Sequence, residues 1–144
     1  MVFINKKIQI LTYFCAFVYF CLIIFLCLYN FPHEINLPHR VLGIRADLIA
    51  HYFMFIPYPF IIGSLINYGF GRKKKRLVKY SYLVIFFTGI VFALLTELIQ
   101  KYLTNYRTGD ITDLIADVCG ILTGIVLLGL MNNNIRKFLN KRMG

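Results

Sequence analysis

Thr108-Gly109-Asp110-Ile111-Thr112-Asp113-Leu114-Ile115-Ala116-Asp117-Val118-Cys119-Gly120-Ile121-Leu122-Thr123-Gly124 opens a stretch that stays apolar as far as Met131. From Ile111 onward it is long enough, at about 1.5 Å per residue, to cross a hydrocarbon core of about 30 Å as a helix. At about 100° per residue, Asp110, Asp113, Asp117, Gly120 and Gly124 fall within an arc of about 80°. An ionised Asp at a bilayer centre costs roughly 2.5 to 3.5 kcal/mol, so this stripe must turn away from lipid and toward other helices. The G-x-x-x-G spacing of Gly120 and Gly124 continues the stripe into a place where two backbones can approach closely. One stretch therefore predicts an all-α membrane bundle.

Three more stretches of similar length, 8–29, 47–68 and 79–100, complete a count of four transmembrane helices with 111–131. None alternates apolar and polar residues in segments of about ten, as a β-barrel would require. Composition agrees: 144 residues that are 59% hydrophobic, 15% charged and of mean hydropathy +0.69 do not match a soluble domain, where about 25% of residues are charged. The length allows a single domain over 1–144. Residues 8–29 read as an anchor, because their apolar run exceeds the roughly 7 to 15 residues of a signal peptide's core.

Charge sets the expected orientation. Of sixteen Lys and Arg, twelve flank the same ends of the four stretches: Lys6 and Lys7, the run from Arg72 to Arg76 with Lys79, and Arg136, Lys137, Lys141 and Arg142. The positive-inside rule makes that side the cytoplasm and puts both termini there. Only Arg40, Arg45, Lys101 and Arg107 fall on the other side, with all six acids. The net charge of +10 is thus a topology signal, and the basic run needs no nucleic-acid partner, since anionic headgroups beside a cytoplasmic loop account for it.

Five of the six acids, Asp47, Glu97, Asp110, Asp113 and Asp117, lie at or just inside the outer ends of the stretches. Asp47 and His51 are one helical turn apart; they either share a proton, or Asp47 caps its helix while His51 bonds a neighbouring helix. Glu97 and Gln100 share a face one turn below the surface, and Arg107, seven residues beyond Gln100 in the short outer loop, is the cation expected to pair with Glu97 or hold a phosphate. Pro57 and Pro59 each withdraw a donor in mid-span, which predicts a kink. These polar residues form a layer in the outer third of the membrane, where headgroups meet chains. Cys15, Cys21, Cys27 and Cys119 fit neither a redox nor a zinc spacing and read as small hydrophobes. The Asn132-Asn133-Asn134 run reads as a turn, and Leu37, Leu42 and Ile44 in the loop at 30–46 as contacts to the headgroup layer.

Phe55-Ile56-Pro57-Tyr58, Glu97-Leu98-Ile99-Gln100, and Arg107 with Gly109-Asp110-Ile111-Thr112-Asp113-Leu114 ahead of Gly120 and Gly124 together resemble the VanZ-like family of small multi-pass bacterial membrane proteins, over about 47–130. Asp117 stands where the family usually has Asn, and Pro59 where glycine is expected. The resemblance implies the bacterial cytoplasmic membrane and a role at cell-envelope lipids. Its founding member is associated with resistance to the glycopeptide teicoplanin.

Two readings of function stay open. In one, the protein is an enzyme acting on a lipid or lipid-linked headgroup, with Asp47, His51, Glu97 and Asp113 as candidate acids and bases and Gln100, Arg107, Asp110 and Asp117 as substrate contacts. In the other, it is a non-catalytic membrane protein whose polar layer locks the bundle, binds a lipid or stabilises a partner. A divalent cation held by carboxylates and His51 is a candidate cofactor. Membrane lipids are the expected partners, with a second copy or another membrane protein left open.

Overall fold

The computed structural model describes residues 6–28, 40–41, 44–69, 75–103 and 110–143. Five helices carry the fold: α1 (Lys6–Leu28), α2 (Ala46–Phe55), α3 (Tyr58–Gly69), α4 (Lys75–Leu103) and α5 (Ile111–Met143). A two-residue antiparallel ladder, β1 (Arg40–Val41) with β2 (Ile44–Arg45), precedes α2 and pairs Arg40 with Arg45 and Val41 with Ile44. Four helical segments are long and apolar enough to cross a membrane, and α2 with α3 form one of them. The chain is an all-α, multi-pass architecture of the expected class.

The second span is broken where its prolines sit. Ile56 and Pro57 form the turn between α2 and α3, and the Pro57 carbonyl oxygen accepts the backbone N–H groups of Phe60 (3.1 Å) and Ile61 (3.2 Å) to start α3. Pro59 then occupies the first turn of α3, where a missing N–H removes no intrahelical bond. On the α2 side the last carbonyls need outside donors. The Tyr19 hydroxyl of α1 supplies one, donating to the Met54 carbonyl oxygen at 2.9 Å.

α5 packs along α2 and also contacts α3 and α4, while α1 lies against α3 and α4. The α2–α5 contact depends on the two glycines. A Cβ at Gly120 would fall on the Tyr52 carbonyl oxygen, and one at Gly124 on the Ile56 carbonyl oxygen and on the Pro59 ring, whose atoms lie 2.9 Å away. The broken helix thus presses its backbone into the G-x-x-x-G face. Tyr52 and Thr123 tie the same seam, their hydroxyl oxygens 3.0 Å apart; since the one Thr123 proton goes to the Cys119 carbonyl at 2.9 Å, Tyr52 is the donor.

In mid-bundle the packing is aromatic. Tyr58 stacks on Phe92 with centroids 5.8 Å apart, and Phe20 meets Phe92 edge-on at 5.0 Å. Phe55, Tyr58, Ile85, Ala93 and Ile121 form the buried core around them. Such edge and offset contacts contribute about 0.5–1.5 kcal/mol each beyond burial, which counts in lipid, where helix association rests on packing and hydrogen bonds. The outward residues of α1, including Phe14, Phe17 and Phe25, are exposed, as a lipid-facing helix requires.

Two expectations change. Asn132-Asn133-Asn134 is not a turn: α5 runs unbroken to Met143. Extending an established helix gains one hydrogen bond per residue, which outweighs the modest propensity deficit of Asn. In addition, the Asn132 side-chain amide donates to the Tyr82 hydroxyl of α4 at 3.1 Å. The helices also overrun the expected spans, α4 by reaching from Lys75 to Leu103. Leu37 and Leu42 lie outside the described residues. All four cysteines are free thiols, with Cys27 buried and the other three exposed.

Candidate functional site

Residues from the start of α2, the end of α4 and the start of α5 meet in a polar layer at one end of the bundle. It has two tiers. The upper tier is organised by Arg45, the last residue before α2. Its Nη1 donates to Asp110 Oδ2 at 2.8 Å, its Nη2 to Asp113 Oδ1 at 2.7 Å and to Thr112 Oγ1 at 3.3 Å, and its Nε to Asp47 Oδ1 at 3.2 Å. A planar guanidinium with a fixed fork of donors can serve several carboxylates at once. Arg45 thereby joins the head of α2 to the head of α5.

Local helix chemistry fixes the acids of this tier. Asp110 caps α5: its Oδ1 accepts the Thr112 N–H at 3.1 Å and its backbone carbonyl accepts the Asp113 N–H at 3.0 Å. Helix N-termini favour this arrangement because their first N–H groups lack intrahelical acceptors. The Thr112 amide, then the Arg45 guanidinium, hold the Asp110 carboxyl down at about 2. In return the hydrogen bond to Asp110 raises Arg45 above the ordinary arginine value. Asp47 sits in the first turn of α2 and accepts the Leu48 N–H at 2.9 Å. The capping position itself belongs to Arg45, which makes no side-chain capping bond.

The lower tier is drier. His51 Nδ1 lies 2.9 Å from Asp117 Oδ1, and the two residues are 2% and 0% exposed. An ionised Asp117 can only accept, so this bond puts a ring proton on Nδ1; in the neutral ring Nε2 then carries the lone pair. Of the second sequence reading the structure bears out only the histidine: His51 bonds across to α5, but Asp47 is not the cap of α2, since the helix starts at Ala46 with Arg45 at that position, and Asp47 accepts from Arg45 instead. Thr96, Glu97 and Gln100 reach the tier from α4, all buried. The Thr96 hydroxyl is spent on the Ala93 carbonyl at 2.7 Å. Among the described residues, neither Glu97 oxygen has a hydrogen-bond partner, nor has Asp117 Oδ2. His51, Glu97 and Asp113 each offer one ligand atom within 4.8 Å of the others.

Two hollows flank the layer. One, of about 400 Å³, lies between α1 and α2; Leu22, Leu26, Phe53 and Met54 make its apolar walls, and His51 and Gln100 line it too. The other, of about 210 Å³, is a groove between α4 and α5 where Glu97 meets Lys101, Asp110 and Leu114.

Of the eight residues singled out from sequence, seven come together here: Asp47, His51, Glu97, Gln100, Asp110, Asp113 and Asp117. Arg107 lies outside the described residues. Arg45 was missed as a site residue, having been counted only as one of the few cations on its side. Its place two residues before Asp47, at the mouth of a span, was the available signal. Tyr19 and Thr112 gave none.

A bundle of four membrane-length helices with an acidic, histidine-containing layer near one end defines a polytopic membrane protein with a polar site held between its helices. A family model described as VanZ/LLP1 matches residues 13–132, and the chain belongs to this VanZ-like family. The match takes in most of α1 as well as the region recognised from the motifs. No curated protein and no solved structure matches the chain.

Proposed function

We propose that the protein binds a cell-envelope lipid, with an acyl chain in the hollow between α1 and α2 and the headgroup at the polar layer. The observation that carries this reading is the 400 Å³ hollow, apolar along Leu22, Leu26 and Phe53 and bordered by His51 and Gln100. An apolar cleft with a few convergent polar groups is the usual form of a small-molecule site. The bundle sits in the bacterial cytoplasmic membrane, its basic end inward and its polar layer in the outer leaflet, as the charge asymmetry favours. Headgroup modification would draw on His51, oriented by Asp117, and on Glu97 as acid and base.

Mass spectrometry of the protein extracted in mild detergent tests this. A phospholipid or polyprenyl lipid should be retained by the wild type and lost in Ala50→Trp, which fills the hollow from α2. Absence of any retained lipid, or equal retention by a folded Ala50→Trp, overturns the reading. Topology is tested by reporters after Ile35, Arg76 and Tyr106, of which only Arg76 should report from the cytoplasm.

The second reading, a structural lock without chemistry, is favoured by the way Arg45 is consumed by three carboxylates and Thr112. Under it, Asp113→Asn lowers stability and leaves lipid content unchanged.

A further inference from the structure

We infer that His51, Glu97 and Asp113 form a binding site for one first-row divalent metal ion, of the Zn²⁺ or Mn²⁺ kind. Their ligand atoms come from three different helices and lie within 4.8 Å of one another. Acidic clusters without a metal are common, but this one has a second feature. Glu97 is only 9% exposed, and among the described residues neither of its carboxylate oxygens has a hydrogen-bond partner, although one lies within 4.8 Å of ligand atoms of His51 and Asp113.

The remaining valences point the same way. With Nδ1 bonded to Asp117, His51 has Nε2 left to offer, and this carboxylate–histidine arrangement is the one that orients metal-bound imidazoles. Asp113 gives Oδ1 to Arg45 and keeps Oδ2. With the ring neutral, the three side chains bring lone pairs together without a donor among them. A buried, unpaired carboxylate costs several kcal/mol, and a cation answers all three ligands at once. One imidazole with two carboxylates suits Zn²⁺ or Mn²⁺ better than Ca²⁺ or Mg²⁺, which prefer all-oxygen sets. A tetrahedral site with bonds of about 2.0–2.1 Å has edges of about 3.3 Å, so modest side-chain rotation closes the cluster on an ion. The groove beside Glu97 gives a way in.

The inference goes beyond the lipid reading and does not depend on it. The test is titration of the full-length, metal-stripped protein in detergent with MnCl₂ or ZnCl₂ alone, read by metal content, by thermal unfolding and, for Mn²⁺, by the nitrogen coupling in its electron spin resonance. One ion per chain, nitrogen coupling and a raised unfolding temperature are expected. Glu97→Gln removes a buried charge whose oxygens have no hydrogen-bond partner among the described residues, so the metal-free variant should unfold at or above the wild-type temperature while its metal affinity falls at least tenfold. Absence of saturable binding by the wild type, or equal affinity in Glu97→Gln, overturns the inference. Lipid retention is scored separately on the same preparations, so loss of one reading leaves the other standing.

Discussion

The middle of the bundle and its polar end are held by opposite means. Around Phe55, Tyr58, Phe92 and Ile121 the helices meet through aromatic faces and through glycines that let backbones touch, with few directional bonds. At the end, Arg45, His51 and four aspartates join α2 to α5 through charged hydrogen bonds of 2.7 to 3.2 Å. Packing in the middle tolerates no added volume. The polar end depends on partners: each of these charged bonds leaves a donor or acceptor stranded if one side is removed.

That contrast can be broken first at Gly124. Gly124→Val should cost about 3 kcal/mol or more, because its branches have only the Ile56 carbonyl and the Pro59 ring to meet. Thermal unfolding in detergent would show it, and an unchanged midpoint would mean that α2 and α5 are not in backbone contact. Next comes the buried pair. Asp117→Ala should cost about 2 kcal/mol by stranding His51, whereas Asp117→Asn, which can still accept from Nδ1–H, should recover most of that loss; equal damage by the two would remove the hydrogen bond from the account. Arg45→Ala, at a side chain 42% exposed, should cost only about 1 kcal/mol, and hydrogen exchange should rise first at the heads of α2 and α5.

The smallest effect is that of acid. Asp110 titrates at about 2 in the folded protein, below the ordinary aspartate value of about 3.9. Its contribution is therefore complete above about pH 4 and is lost as the pH falls through about 2. An unfolding series from pH 5 to 2 should show a decline attributable to this group that Asp110→Asn abolishes. A decline of the same size in that variant would assign the acid sensitivity elsewhere.

The same contrast explains what sequence could and could not supply. The stripe of Asp110, Asp113, Asp117, Gly120 and Gly124 is legible because one helix fixes its own angular spacing. The break at Pro57 is legible because a missing N–H is a local fact. Pairings are another matter: Arg45 bonds residues 65 and 68 positions away, and which acid it reaches depends on how two helices are rotated about their axes. Spacing within one helix leaves His51 two partners, Asp47 or a neighbouring helix, with nothing to choose between them. Helix rotation gives His51 to Asp117 and sets a Glu97 oxygen within 4.8 Å of ligand atoms of His51 and Asp113. The unbroken run of α5 through Asn132 was hidden for a different reason, since single-residue preferences are weak against the cooperativity of a long helix.

The interruption at Ile56 and Pro57 also has a mechanical side. In a continuous helix, one inserted residue swings everything beyond it by about 100°. Here α2 is a separate ten-residue rod, seated on α5 through Tyr52 and Gly120 and through His51 and Asp117. The aim of the imidazole is therefore set where α2 meets α5. The half of the span that carries the histidine thus takes its rotation from its neighbour rather than from a continuous helical register with α3.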